Sequence, residues 1–184
     1  MQLLGLFFEP IQIHRCAAAQ LKQSRYPVDY SRGPDALLPH LAKIKSLSQL
    51  LKAEAMIYSE EGRPDLAVKS VLDGVALARS LDTEPLLISQ LVRIACLAID
   101  CSTLERVLTQ HALSEAQLAG LSEAFGGANQ ASQAAFQGGF VGEICLGVYC
   151  FQMSPAKVAS DMRPDGSNSS EVSALARVTF PLYA

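Results

Sequence analysis

Apolar residues recur every three to four positions along most of this chain, which is the period of an α-helix. No segment alternates apolar and polar residues between turn signals, as a half-buried strand does. The pattern therefore predicts an all-α protein with five to six helices in antiparallel pairs. The predicted helices cover residues 2–23, 35–61, 64–81, 85–110, 114–125 and 129–152.

Residues with strong turn or capping preferences set these boundaries. Gly62 is placed to end the second helix, and Pro64 suits the first turn of the third. Ser114 and Gln117 have the spacing of a capping box, and Gly126-Gly127 is expected to break the chain. Residues 1–160 are predicted to form a single helical domain. Residues 161–184 are predicted to be a flexible loop and a short C-terminal segment.

Composition supports a soluble globular domain. Of the 184 residues, 49% are hydrophobic and 18% are charged, and the net charge is −3. A chain of this size and apolar content can bury a substantial core. Nucleic-acid-binding domains usually carry a basic excess or a basic stripe, and this chain has neither. We therefore expect no nucleic-acid partner.

The cysteines and the apolar stretches bear on location. Five scattered cysteines are not typical of a disulfide framework, so a cytoplasmic protein is expected. The apolar N-terminal run is short and ends at Glu9-Pro10, and the stretch 136–153 carries Glu143 at its middle. No membrane span is therefore predicted. If this chain is a piece of a longer protein, the alternative is an exported or membrane-anchored protein. The oligomeric state is left open.

Residues 51–74 resemble a tetratricopeptide-type helix pair. The matching positions are Ala55, Tyr58, Gly62, Ala67, Val71 and Gly74. Small residues at such positions let two antiparallel helices approach closely. Leu51 stands where the repeat favours Trp, and Arg79 stands where its closing Pro falls. The resemblance implies a right-handed, tetratricopeptide-like arrangement of helix pairs.

Three stretches also resemble an uncharacterised family of helical proteins from planctomycete- and verrucomicrobia-type bacteria. They are residues 37–41, residues 84–95 and Gly142-Glu143. This resemblance implies a helical fold and brings no catalytic residue. Some members of that family are exported or anchored.

Arg93 is the candidate functional residue because it lies within a nearly all-apolar helix. A charge in that setting needs a partner or access to water. Ser89, Gln90, Asp100 and Thr103 lie on the same side of the helix as Arg93. Glu54 and Glu143 are the candidate acidic partners. The candidate site residues are therefore Arg93, Glu143, Glu54 and Gln90. They either line a binding groove or include a structural ion pair. Exposure of Arg93 to solvent is a further alternative.

The remaining polar motifs predict no catalytic residue, metal or cofactor. In Cys96/Cys101 and Cys145/Cys150 the two thiols lie five positions apart on a helix and point to different faces. His14, His40 and His111 are isolated, as surface or loop histidines usually are. No phosphate-binding loop or nucleophile motif is present.

Three functional hypotheses follow. The first is a non-enzymatic module that binds a protein or peptide in a groove between helix pairs. The second is a small-ligand-binding or enzymatic domain with an interhelical pocket around Arg93 and Glu143. The third is a structural domain of a longer anchored protein.

Overall fold

The computed structural model describes residues 25–154, and this part of the chain is helical without a strand. The predicted all-α class is therefore confirmed. A short 3-10 helix at Tyr30–Asp35 is followed by α1 (Pro39–Glu60), α2 (Pro64–Arg79), α3 (Leu87–Gln110) and α4 (Glu115–Gln152). The predicted helix at 2–23 and the predicted domain boundary at residue 160 lie outside the described residues.

The helix boundaries follow from local chemistry. Proline fits the first turn of a helix and disfavours a helical conformation at the preceding residue. Accordingly, α1 begins at Pro39 after a non-helical Leu38, four residues later than predicted. Gly62 adopts a positive φ of 71° in the turn after α1, as its predicted helix-ending role requires. The capping box at α4 is confirmed, because the Gln117 N–H donates to Ser114 Oγ and the Ser114 N–H donates to Gln117 Oε1.

The prediction of five to six helices is wrong for the described residues, which contain four α-helices. Gly126-Gly127 does not break the chain, and α4 continues through it for 38 residues. A glycine inside a helix costs only about 1 kcal/mol relative to alanine. Leu121 and Ala128 are buried on either side of this point, so packing holds the helix in register across it.

The core lies among the first three helices. α1 packs against α2 and α3, and α2 packs against α3. Small and β-branched residues such as Ala55, Ala67 and Val71 are fully or almost fully buried there. Leu121 of α4 packs in one cluster with Ala55, Val68 and Val71. The buried alanines allow the close helix approach that the sequence pattern predicts.

α4 runs antiparallel to α3 along the N-terminal half of that helix. Ala128 meets Arg93, and Gly139 lies against Leu87. Gly142 lies against Pro85, and a Cβ at Gly142 would collide with the Pro85 carbonyl oxygen. Glycines on this side of α4 therefore permit the close approach.

The described residues fall into two compact units. The first contains residues 25–27 and 38–142, which include α1, α2, α3 and most of α4. The second contains residues 28–37 and 143–154. Within the second unit, the Tyr149 ring lies against Gly33, which has a positive φ of 58°. A side chain at Gly33 would occupy the space that the ring fills.

The expectation that this chain contains no membrane span is wrong. By length and composition, α3 and α4 are each long and apolar enough to cross a membrane. A single acid such as Glu143 does not exclude a helix from being a candidate membrane span. In the most apolar stretch of α3, 33% of the residues are buried inside the protein, whereas 11% are buried in the most apolar stretch of α4. The core helix of a soluble protein meets the same criterion.

Candidate functional site

Arg93 is fully buried and held by three acceptors. Its Nε donates to Asp82 Oδ1 at 2.5 Å. Its Nη2 donates to the Ala128 carbonyl at 2.7 Å and to Ser132 Oγ at 3.2 Å. Nη1 has no hydrogen-bond partner among the described residues. The guanidinium thus ties α4 to α3 and to the α2–α3 connection, as a buried ion pair does.

The expectation that Arg93 pairs with Glu54 or Glu143 is wrong, because its acidic partner is Asp82. Glu54 is buried and accepts a hydrogen bond from Ser70 Oγ at 2.9 Å. Glu143 is half-buried and belongs to the second unit. Helical periodicity could point only to partners on helices, whereas Asp82 lies in a short connection. The assignment of these residues to ligand binding remains a prediction.

Gln90 fixes the connection between α2 and α3. Its Nε2 donates to the carbonyls of Leu81 and Glu84, both at 2.9 Å. The Gln90 side chain is fully buried, and Gly139 packs against its Cγ. Its Oε1 accepts no hydrogen bond from the part of the chain that the structure describes. Both Gln90 and Arg93 are therefore covered by α4 and do not face an open groove.

A cluster of interacting polar and aromatic side chains lies near the N-terminal end of α3. Glu84 is buried and accepts a hydrogen bond from Ser89 Oγ at 3.2 Å. His40 Nε2 lies 3.6 Å from Glu84 Oε2, and the Tyr26 ring stacks on His40 with centroids 4.4 Å apart. The expectation of an isolated surface or loop histidine is therefore wrong for His40. A protonated His40 would form an ion pair with Glu84.

Within residues 25–154, no three or more His, Cys, Asp or Glu side chains are grouped so that they could hold a metal ion. The four described cysteines, Cys96, Cys101, Cys145 and Cys150, are free thiols. His111 contacts the Ser59 carbonyl through Nε2 at 2.8 Å, which is a packing role. His14 lies outside the described residues.

Asp100 is the most perturbed acid in the described structure. Its side chain is only 2% exposed, and burial raises its pKa from 3.8 to about 7. A Cβ at Gly74 would collide with its carboxyl group, so α2 closes directly over it. Burial also raises the pKa of the neighbouring Cys96 thiol, and the Ser48 hydroxyl partly opposes that shift. Periodicity placed Asp100 on the same side of α3 as Arg93 but could not show that this side is buried.

The buried side of α3 is more polar than its exposed side. Its buried residues are Ser89, Gln90, Arg93, Cys96, Asp100, Thr103 and Val107. The exposed side over the first four turns carries Ile88, Leu91, Ile94, Ala98 and Cys101. Water-facing helices normally have the opposite polarity. This α3 outer stripe is therefore suited to an apolar neighbour.

A second apolar surface lies on α4 within the second unit. Ile144, Val148 and Phe151 are 66%, 51% and 86% exposed. Their spacing of four and three residues places them on one side of the helix. This α4 stripe has the spacing of the side chains with which amphipathic helices anchor themselves in apolar grooves.

Comparison of the chain with protein-family models, with curated proteins and with solved structures found no match.

Proposed function

We propose that this protein is a non-enzymatic interaction module that inserts the α4 stripe into an apolar groove of a partner protein. The observation that carries the proposal is the exposure of Ile144, Val148 and Phe151 on one side of a helix. Burying large apolar side chains yields about 25 cal/mol per Å² removed from water. Three such anchors supply a large part of the affinity of a helix in a groove.

Charge favours a protein groove over an anionic lipid surface. α4 carries Glu115, Glu123 and Glu143 and contains no Lys or Arg. Helices that lie on anionic membranes usually carry Lys and Arg on their polar side. An acidic helix with an apolar stripe instead complements a groove that has a basic rim.

The polar residues of the sequence-based site support a non-enzymatic role. Arg93, Gln90 and Glu54 are buried and make hydrogen bonds within the protein. The groove beside Arg93, which the sequence-based hypothesis assigned to a binding partner, is occupied by α4 of the same chain.

We also propose that α1 and α2 form a tetratricopeptide-like pair. Ala55 and Ala67 are completely buried, and Gly74 is buried where α2 meets Asp100. Gly62 supplies the turn between the two helices with a positive φ. These features support the packing that the repeat requires. A tetratricopeptide-like helix order could be tested by an experimental structure.

The test is capture of a partner by the tagged protein from a lysate of the source organism, read by mass spectrometry. The variant is Ile144→Ser with Val148→Ser. The matched control is Gln133→Ser with Gln137→Ser, which places the same residues at exposed positions elsewhere on α4. We expect the captured protein to bind the control like the parent and to bind the stripe variant at least tenfold more weakly when purified. Equal binding to both variants would refute the proposal.

A lipid bilayer is the second candidate partner for the same stripe, since α4 is apolar enough to cross a membrane and its apolar window is 11% buried. Flotation with uncharged phosphatidylcholine vesicles separates the two candidates. Flotation of the parent and of the Gln133/Gln137 control, but not of the stripe variant, would identify the bilayer as the partner. The protein-groove proposal expects none of the three to float.

A further inference from the structure

The α3 outer stripe lies on the first unit and shares no residue with the α4 stripe. Ile88, Leu91 and Ile94 are between 40% and 52% exposed, and Ala98 and Cys101 are also exposed. The stripe covers about four helical turns, or roughly 20 Å. No charged residue lies among its members.

The members of the stripe are ordered by size along the helix. The large side chains of Ile88, Leu91 and Ile94 come first, and the small side chains of Ala98 and Cys101 follow. A second α3 placed antiparallel, with a twofold axis between residues 94 and 95, brings each large residue opposite a small one. Within the stripe, Ile88 faces Cys101 and Leu91 faces Ala98. Ile94 faces Ala95, a half-buried small residue beside the stripe.

This order is self-complementary, as a twofold interface requires, because both copies contribute the same surface patch. The stripe also lacks charge, so two copies of this acidic protein can meet there without opposing like charges. A lipid surface would use the apolar character of the stripe but would not require the order of large and small residues.

We infer that the α3 outer stripe is the contact between two copies of this chain, packed antiparallel about a twofold axis near Ile94 and Ala95. The stripe belongs to one helix and buries less than the roughly 1,600 Å² of a standard interface. The dimer is therefore weak, and it forms at micromolar or higher protein concentration.

Disulfide formation tests the register directly. In the Ile88→Cys variant, the new thiol faces the native Cys101 of the other copy, whereas the two new thiols lie roughly 20 Å from each other. Oxidised glutathione supplies the oxidant. All variants also carry Cys16→Ser, Cys145→Ser and Cys150→Ser, so that only the intended thiols and the buried Cys96 remain. We expect a disulfide-linked dimer on a non-reducing gel.

Two controls define the specificity of the crosslink. Adding Cys101→Ser to the Ile88→Cys variant should abolish the linked dimer. Leu108→Cys introduces a thiol at an exposed α3 position beyond the paired stretch, and it should not link to Cys101. Linking of Leu108→Cys as efficiently as Ile88→Cys, or no linking of Ile88→Cys, would overturn the inference.

Sedimentation velocity gives a reading that does not depend on cysteine. The parent protein should dimerise with increasing concentration, and Leu91→Glu should raise the dissociation constant at least tenfold. Leu91 is half-exposed, so circular dichroism should show the same helix content in the variant and the parent. A parent that is monomeric at about 200 μM, or a dimer that persists in Leu91→Glu, contradicts the twofold contact. Neither result affects the α4 stripe proposal, which rests on different residues.

Discussion

Replacing Asp100 with asparagine should stabilise the protein at neutral and alkaline pH. Asn has almost the same size and shape as Asp but carries no charge. The Asp100 side chain is 2% exposed, and its Oδ2 has no hydrogen-bond partner within residues 25–154. A charge in that position is poorly solvated, so the folded protein retains the proton on Asp100 more strongly than the unfolded chain does.

The size of the effect follows from the pKa shift. Burial raises the pKa of Asp100 from 3.8 to about 7. Each pKa unit corresponds to 1.36 kcal/mol, so the shift represents about 4 kcal/mol. Because the folded-state pKa is the higher one, the folded protein binds more protons between these two values. The free energy of unfolding therefore falls as pH rises from about 4 to about 7. Above pH 7, Asp100 is ionised in both states, so its contribution to the free energy of unfolding no longer changes with pH.

Urea denaturation at pH 4, 5.5, 7 and 8.5 measures this dependence in the parent and in Asp100→Asn. The two proteins should have similar stability at pH 4. The advantage of the variant should grow to about 4 kcal/mol at pH 7 and then remain constant. Glu105→Gln is the matched control, because Glu105 is an exposed acid on the same helix. An advantage of Asp100→Asn that is independent of pH, or equal to that of Glu105→Gln, would show that the buried charge of Asp100 does not lower the stability.

Two further predictions concern the contact between α3 and α4. Arg93→Ala should lower the free energy of unfolding by about 3–5 kcal/mol, because it leaves Asp82 and the Ala128 carbonyl without their cationic donor. Arg79→Ala removes only an exposed ion pair and should cost less than about 1 kcal/mol, measured by the same urea titration. Gly142→Ala should destabilise the protein, because the new Cβ would collide with the Pro85 carbonyl oxygen. Gly138→Ala is the control, because a Cβ at that position meets open space. Thermal melts should show that it is neutral or stabilises the protein by up to about 1 kcal/mol.

The helical class and most helix ends could be predicted from the sequence, because these features depend on local chemistry. A period of 3.6 residues, proline in a first turn and glycine after a last turn act over a few neighbouring residues. The helical period also placed Gln90, Arg93 and Asp100 on one side of α3, but it left open whether that side is buried. The prediction went wrong at Gly126-Gly127, where the local preference of glycine is weaker than the packing of α4.

Which side chains meet in the folded protein could not be predicted from the sequence. Asp82 became the partner of Arg93 because the connection after α2 folds back toward α3, and a connection has no period that sequence analysis can use. The perturbed pKa of Asp100 likewise depends on a glycine of α2 that closes over the carboxyl group. The exposed apolar stripes on α3 and α4 emerged for the same reason. Hydrophobic residues predict burial, but only the arrangement of the other helices shows which of them remain uncovered.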